Sequence, residues 1–374
     1  MSHKTIFFTN EYGERVIIRR VFLNRTCSAE ALVLFTQLLN DFPQYSLKKP
    51  LSKLAGATLS FTAYYYHDGY VLEGRLSQSQ TSSLKYLFSN PYKEGEKILN
   101  DVFSLGFINS EKNIAVCKER ILAENYIRLR SSLTVGKMMI SSSYAPICFD
   151  EKKLKSVTPD DLSQMASQVS SLNIGDLFYF GASEPAPLSL CSDYQDGLDL
   201  KESPLVTNVV MKDYLDDESV MFVFEHAMIE NRDEKLIQET VFAGFIAYLK
   251  DYLAKKVYID YQMDFTLLDS THTLFSITTL KGRLDSIVNH ISLKVGENLP
   301  FDLTPCYDAA ICDNKMKEIS LKMSFSKLIH EEMIAKDLSL QDKGVDLSRN
   351  SYRDFINTLL IDDLLFVRKE KHHA

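Results

Sequence analysis

The chain has no apolar run approaching the ~18 consecutive residues that a membrane-spanning helix needs, and its N-terminus, MSHKTIFFTNEYGERVII, turns polar after three apolar residues. A soluble, cytoplasmic protein is expected. It also lacks a basic excess: 50 acidic against 42 basic side chains give a formal charge of −8, so nothing draws it to a phosphate backbone and no nucleic acid partner is expected. Six scattered cysteines form no C-x-x-C pair and no zinc-ribbon spacing, which leaves reduced structural thiols as the expectation. There is no G-x-x-x-x-G-K-[ST], G-x-G-x-x-G or G-x-S-x-G, so phosphate-loop, dinucleotide and nucleophile-elbow chemistry are not indicated.

What is present is an ordered alternation of elements. Strand character at 5–9 and 15–22 leads to a helix over 29–39 (AEALVLFTQLL), and the period-two pattern of Leu59, Phe61, Ala63 and Tyr65 marks a half-buried strand. His67-Asp68-Gly69 supplies a hairpin turn into YVLEGRLS. Helical periodicity follows at 80–90, 93–104, 110–130 and 133–144. Thr158-Pro159 caps a further helix over 159–171, which leads into a strand at 176–182. Residues 183–204, rich in Ser, Pro, Asp and Gly, read as a linker. The order then recurs: strands near 205–211 and 219–226, a helix over 232–254, strands at 257–268 and 271–280, and helices at 282–294, 314–337 and 349–362. The expected architecture is α+β, with two similar sheet-and-helix domains at 1–182 and 205–374. The tail from Arg368 to His373 reads as a solvated end.

The strand, the 29–39 helix, the Gly56-Ala57-Thr58-Leu59-Ser60-Phe61 strand and the hairpin together resemble the opening of the insulinase (pitrilysin) zinc peptidases. The resemblance implies a duplicated fold of the LuxS/metallohydrolase kind. In active members this helix carries His-x-x-Glu-His, two imidazoles one turn apart with a carboxylate between them that activates a zinc-bound water. The overlay places Val33, Thr36 and Gln37 there, and none of them can ligate zinc or act as base. For the family's third ligand the chain offers Glu111, Glu119 and Glu124, with Glu119 nearest the place. One carboxylate cannot hold zinc, so a solvated helix face is the expectation. The eight histidines offer no replacement: His226 ends an apolar strand, and His330-Glu331-Glu332 lacks the second histidine because Ile334 stands there. No metal or other cofactor is expected.

Active members also have an arginine and a tyrosine that hold the substrate carbonyl. The matching stretch is Asp251 to Tyr258, in which Tyr258 keeps the tyrosine as a substrate-binding candidate while Asp251 reverses the arginine's charge. Lys255 or Lys256 could substitute, and Tyr258 could equally be a strand aromatic. Tyr64-Tyr65-Tyr66 could stack on a ligand or pack in the sheet. The resemblance implies a non-catalytic homologue that binds an extended peptide or partners an active insulinase-like subunit as a heterodimer, with bacteriocin biosynthesis as the setting. Two alternatives stay open: an active zinc metallopeptidase with a non-standard site, and a peptide-binding or immunity protein with no peptidase partner.

Overall fold

In the computed structural model the described residues are 5–9, 14–41, 57–66, 69–79, 99, 102, 110–140, 144–171, 176–181, 208–211, 215–225, 229, 232–256, 260–268, 271–292, 304–319 and 365–369. They divide into two compact units, one of residues 1–128 and 137–201, the other of residues 129–136 and 202–374. The linker 183–204, the helices expected at 80–90 and 349–362, and all but Leu99 and Val102 of the one expected at 93–104 lie outside the described residues.

The first unit is built on a five-stranded sheet. β1 (Thr5–Thr9), β2 (Glu14–Asn24), β3 (Ala57–Tyr66), β4 (Gly69–Ser79) and β5 (Asp176–Gly181) lie in the order β1-β5-β2-β4-β3. β5 runs parallel to β1 and antiparallel to β2, while β2, β4 and β3 form an antiparallel meander. The hairpin register, Tyr66 opposite Gly69, brings Gly69 against β2, where a Cβ would lie 2.5 Å from the Leu23 carbonyl oxygen. Only glycine fits that approach.

Helix α1 (Ala29–Asp41) begins at Ser28, whose Oγ accepts from the Ala31 N–H at 3.1 Å. It buries Leu32, Leu34, Phe35, Leu38 and Leu39 against one face of the sheet. That face presents Val21, Leu23, Phe61, Tyr65, Tyr70 and Leu72. Helices α2 (Glu111–Arg128), α4 (Glu151–Ser156) and α5 (Pro159–Ser171) complete this layer through Cys117 and Ile121, Leu154, and Leu162 and Met165. Thr158 and Asp161 cap α5 reciprocally: the Asp161 carboxylate accepts from the Thr158 N–H at 2.7 Å, and the Thr158 hydroxyl oxygen from the Asp161 N–H at 3.3 Å.

The second unit repeats the plan. β6 (Asn208–Met211), β7 (Asp217–Glu225), β8 (Tyr261–Leu267), β9 (His272–Leu280) and β10 (Leu365–Lys369) lie in the order β6-β10-β7-β9-β8. Strand for strand this is the topology of the first sheet: the last strand inserts between the first two, parallel to one and antiparallel to the other. Helix α6 (Arg232–Ala254) takes the place of α1, packing Phe242, Phe245, Leu249 and Leu253 on Val220, Phe222, Phe275 and Ile277. α7 (Leu284–Ser292) adds Leu284 and Ile287 to the same core.

The structure corrects several expectations. The tail residues Arg368 and Lys369 are not a solvated end: they belong to β10, an interior strand, with Val367 fully buried. Short polar strands flanked by charge look like frayed termini unless their partners are known. Helix α3 (Ser132–Met139) stops before residue 144, and α8 (Thr304–Ile319) starts ten residues ahead of the expected 314. α4 was not foreseen. Asp150 caps it by accepting from the Lys152 and Lys153 N–H groups at 2.7 and 3.1 Å, a start signal hidden by a run of charged residues. Residues 129–136 belong to the second unit because Ser132 is pinned there. Its hydroxyl lies 2.6 Å from that of Ser219, which in turn lies 2.8 Å from that of Thr278.

Candidate functional site

The resemblance places the catalytic residues of an active peptidase on α1. Val33 is half-buried and packs against the core. Thr36 is buried, and its hydroxyl donates to the Leu32 carbonyl at 2.8 Å, back onto its own helix. Gln37 donates from Nε2 to the Asp41 carboxylate at 3.0 Å. Asp41 also accepts from Arg120 Nη1 at 2.8 Å and from the Cys117 thiol at 3.5 Å. Burial first, then the nearby Asp41 charge, pushes that thiol up to about 12, so it stays protonated and is no thiolate ligand.

The residues that α2 turns toward α1 are therefore Cys117 and Arg120, with Ile114 and Ile121 in the core beside them. Glu119 is exposed, as a solvated helix face requires. Glu124 is taken up by Arg120 at 3.2 Å and Arg128 at 3.6 Å. At the places the resemblance gives to the zinc residues stand a valine, a threonine and a neutral amide, with Glu119 exposed to solvent. This donor set does not fit the metal, and no group of three or more His, Cys, Asp or Glu among the described residues could hold one.

On the opposite face of the first sheet lies a cluster that sequence reading found only in part. Arg20 is fully buried, and its Nε donates to the Glu73 carboxylate at 2.9 Å. Tyr64 donates to the same carboxylate at 2.7 Å, and Arg20 Nη2 donates to the Tyr144 hydroxyl at 2.9 Å. The guanidinium lies 5.7 to 5.9 Å from the ring centres of Tyr64, Tyr66 and Tyr144. Tyr144 itself stacks on Tyr64 at 4.8 Å. Tyr64 and Tyr66 of the tyrosine run thus pack around a buried cation, while Tyr65 points into the core beneath α1. The alternation of β3 hinted at this, because Tyr64 and Tyr66 face away from α1, but nothing in the sequence names Arg20 as their partner.

Burial raises the Tyr64 and Tyr144 phenols above the ordinary value of 10.0, and the neighbouring Arg20 only partly offsets it. Both therefore stay protonated, Tyr64 as the donor to Glu73 and Tyr144 as the acceptor from Arg20. A phenol held above its unfolded value contributes stability that is intact below that value and is lost as pH rises through it. Unfolding midpoints in urea should hold level up to pH 10 and fall steeply above it. In a spectrophotometric phenolate titration, Tyr64→Phe and Tyr144→Phe should each remove one of the tyrosines that ionise only on unfolding.

In the second unit Tyr258 and His226 lie outside the described residues, as does His330 in the chain's last segment. Asp251, on the last turn of α6, and Lys255, just past its end, form an exposed pair at 2.8 Å, so this lysine is engaged with the aspartate four residues before it. Among the other histidines, His272 Nδ1 lies 2.9 Å from the Thr271 hydroxyl, and His290 meets the Tyr252 ring edge-on at 6.5 Å. No described helix is long and apolar enough to cross a membrane.

No family model and no curated protein matches the chain. Solved structures do. A conserved protein from Enterococcus faecalis V583 superposes with a TM-score of 0.60 at 12% identity, over 99% of this chain and 96% of that one. A protease from Helicobacter pylori gives 0.57 at 12% identity, over 99% and 98%. A peptidase M16 inactive domain from Pseudomonas fluorescens gives 0.56 at 12% identity, over 99% and 96%. At such identities the likeness is one of fold, and it spans both sheets and their helices: the chain has the duplicated α+β fold seen in an inactive domain of the insulinase-like (M16) peptidases.

Proposed function

We propose that the protein is a catalytically inactive insulinase-like peptidase homologue that serves as the partner subunit of an active one. The single observation that carries this reading is the state of α1, where Val33, Thr36 and Gln37 stand at the places the resemblance gives to the zinc residues, Val33 packing on the core, Thr36 bonding back to Leu32 and Gln37 bonding Asp41. Support for the fold comes from the M16 inactive domain of Pseudomonas fluorescens. A chain that keeps the whole duplicated scaffold without the chemistry is suited to shaping a peptide-holding chamber.

The finer reading rests on the sequence resemblance, which extends to AlbE, the bacteriocin biosynthesis protein of the subtilosin system. On that reading the substrate is a modified precursor peptide, the assembly is a cytoplasmic heterodimer, and residues 183–204 are the linker that joins domains 1–182 and 205–374 in sequence. Tyr258 contacts the substrate carbonyl from the second domain.

The test has two arms. After dialysis the purified chain should carry far less than one equivalent of zinc and cleave no peptide, and a full equivalent with chelator-sensitive cleavage would favour a non-standard metallopeptidase. Co-expressed with an insulinase-like sister that has an intact His-x-x-Glu-His, the chain should co-elute with it and raise precursor cleavage. Tyr258→Phe should lower turnover without preventing assembly. If the sister works equally well alone and never co-elutes, an independent peptide-binding or immunity role is the better account.

A further inference from the structure

An extended peptide can join a sheet only at an edge strand whose outward N–H and C=O groups are available. β3 is an edge of the first sheet and runs beside α1, so a strand added there would pass the end of the helix on which the resemblance places the catalytic residues. Its outward-pointing residues alternate, and two of them are already bonded within the chain. At Phe61 the side chain of Asn40, on the last turn of α1, does what a neighbouring strand residue would do. Oδ1 accepts from the Phe61 N–H at 2.8 Å and Nδ2 donates to the Phe61 carbonyl at 2.7 Å.

Four residues on, Tyr65 is paired by the chain's own segment 144–146. Its N–H donates to the Ala145 carbonyl at 3.0 Å, and its carbonyl accepts from the Tyr144 N–H at 2.8 Å, with Pro146 bridging Tyr64. That segment is held in place by the buried Arg20, which bonds the Tyr144 hydroxyl, and Tyr144 adopts a left-handed backbone with φ of 66°. Between the two contacts Ala63 is the single outward-facing residue, and before Phe61 β3 has only Ala57 and Leu59 on that side, so the contacts divide the edge into stretches too short for strand pairing.

We infer that Asn40 is a built-in strand mimic, which together with segment 144–146 keeps the β3 edge closed to an extended peptide or to a second copy of this chain. Only a carboxamide can make both bonds: aspartate can accept from Phe61 but has no proton for its carbonyl, and alanine or leucine can do neither. The residue is exposed at the end of its helix, so replacing it leaves the core of α1 in place. The closure does not depend on the existence of a peptidase partner.

The experiment compares the full-length wild type with Asn40→Ala and Asn40→Asp, using hydrogen exchange resolved to the Phe61 amide and sedimentation velocity over a concentration series. In Asn40→Ala the Phe61 amide should exchange about tenfold faster, as expected for the loss of one hydrogen bond, while amides of Leu34 and Phe35 in α1 keep their wild-type rates. With the edge open from Ala57 to Ala63, Asn40→Ala should also self-associate as concentration rises, while the wild type stays monomeric. Asn40→Asp should retain slow exchange at Phe61 but associate weakly. Unchanged Phe61 exchange in Asn40→Ala would overturn the clamp. Faster exchange with no concentration-dependent association would overturn the closure.

Discussion

Glu73→Ala should be the most destabilising single polar substitution in the first unit, lowering the unfolding free energy by about 3–5 kcal/mol, the cost of leaving one partner of a buried ion pair uncompensated. Glu73 is 4% exposed and Arg20 is 0% exposed, so no solvent replaces the lost carboxylate. Tyr64 loses its acceptor in the same step. Arg20 is held charged: burial works against its charged form, but Tyr64, Tyr144 and Glu73 together keep its pKa well above the ordinary value, so the guanidinium cannot escape by losing its proton. Urea denaturation of the variant should show a lower midpoint at an unchanged slope. The control is the double change Arg20→Met with Glu73→Leu. Because it removes both charges and fills the space with apolar atoms, it should recover most of the loss. Tyr144→Phe, which deletes one hydrogen bond to the guanidinium, should cost only about 1 kcal/mol. If Glu73→Ala is no worse than Tyr144→Phe, the ion pair is not the element that holds this face of the sheet.

The second large effect concerns the last described strand. Ending the chain after Leu364 should prevent the second unit from folding, because β10 lies between β6 and β7, so its removal detaches β6 from the sheet and leaves β7 paired on its β9 side alone. Val367 is fully buried and registers with Val209 on one side and Ser219 on the other. Val367→Asp should act almost as severely, since it places an unpaired charge in that interior. Circular dichroism and limited proteolysis of the truncated chain should show the second unit digested while a fragment of the first persists. A truncated protein that melts at the wild-type temperature would contradict the interior placement of β10. Arg368 offers a milder comparison: its partner Asp285, at 2.7 Å, is 64% exposed, and loss of such a surface pair should barely register.

Much of the element order is local information. The 29–39 and 232–254 helices, the capped start at Pro159 and the long β3–β4 hairpin are all signalled by periodicity and by cap or turn residues within a few positions, and α1, α6, α5 and the hairpin stand where these signals put them. The missing zinc residues are equally local, because a Val-x-x-Thr-Gln pattern has no ligand whatever surrounds it. Where the reading failed, the deciding contact is distant. The strand at 365–369, LFVRK, is only five residues long and ends in two charges, and it becomes an interior strand because β6 and β7 pair on either side of it. α4 depends on Asp150, which reads as one more acidic residue until its carboxylate is seen to cap the helix.

The amino-acid sequence by itself determined that this chain repeats an α+β unit and that its first helix offers no zinc ligands, because periodicity and residue identity are properties of neighbouring positions. Tertiary structure alone decided what the polar side chains around that helix and its sheet bond to. Arg20 meets Glu73 across 53 positions, Arg120 meets Asp41 across 79, and Asn40 reaches Phe61 across 21, each through folding that brings separate elements to hydrogen-bond distance. Side chains that look like ordinary surface residues along the chain become a buried cation, an ion pair between two helices and a clamp on a sheet edge once the strands and helices are packed, because burial and directional bonding depend on what lies across the fold rather than along the sequence.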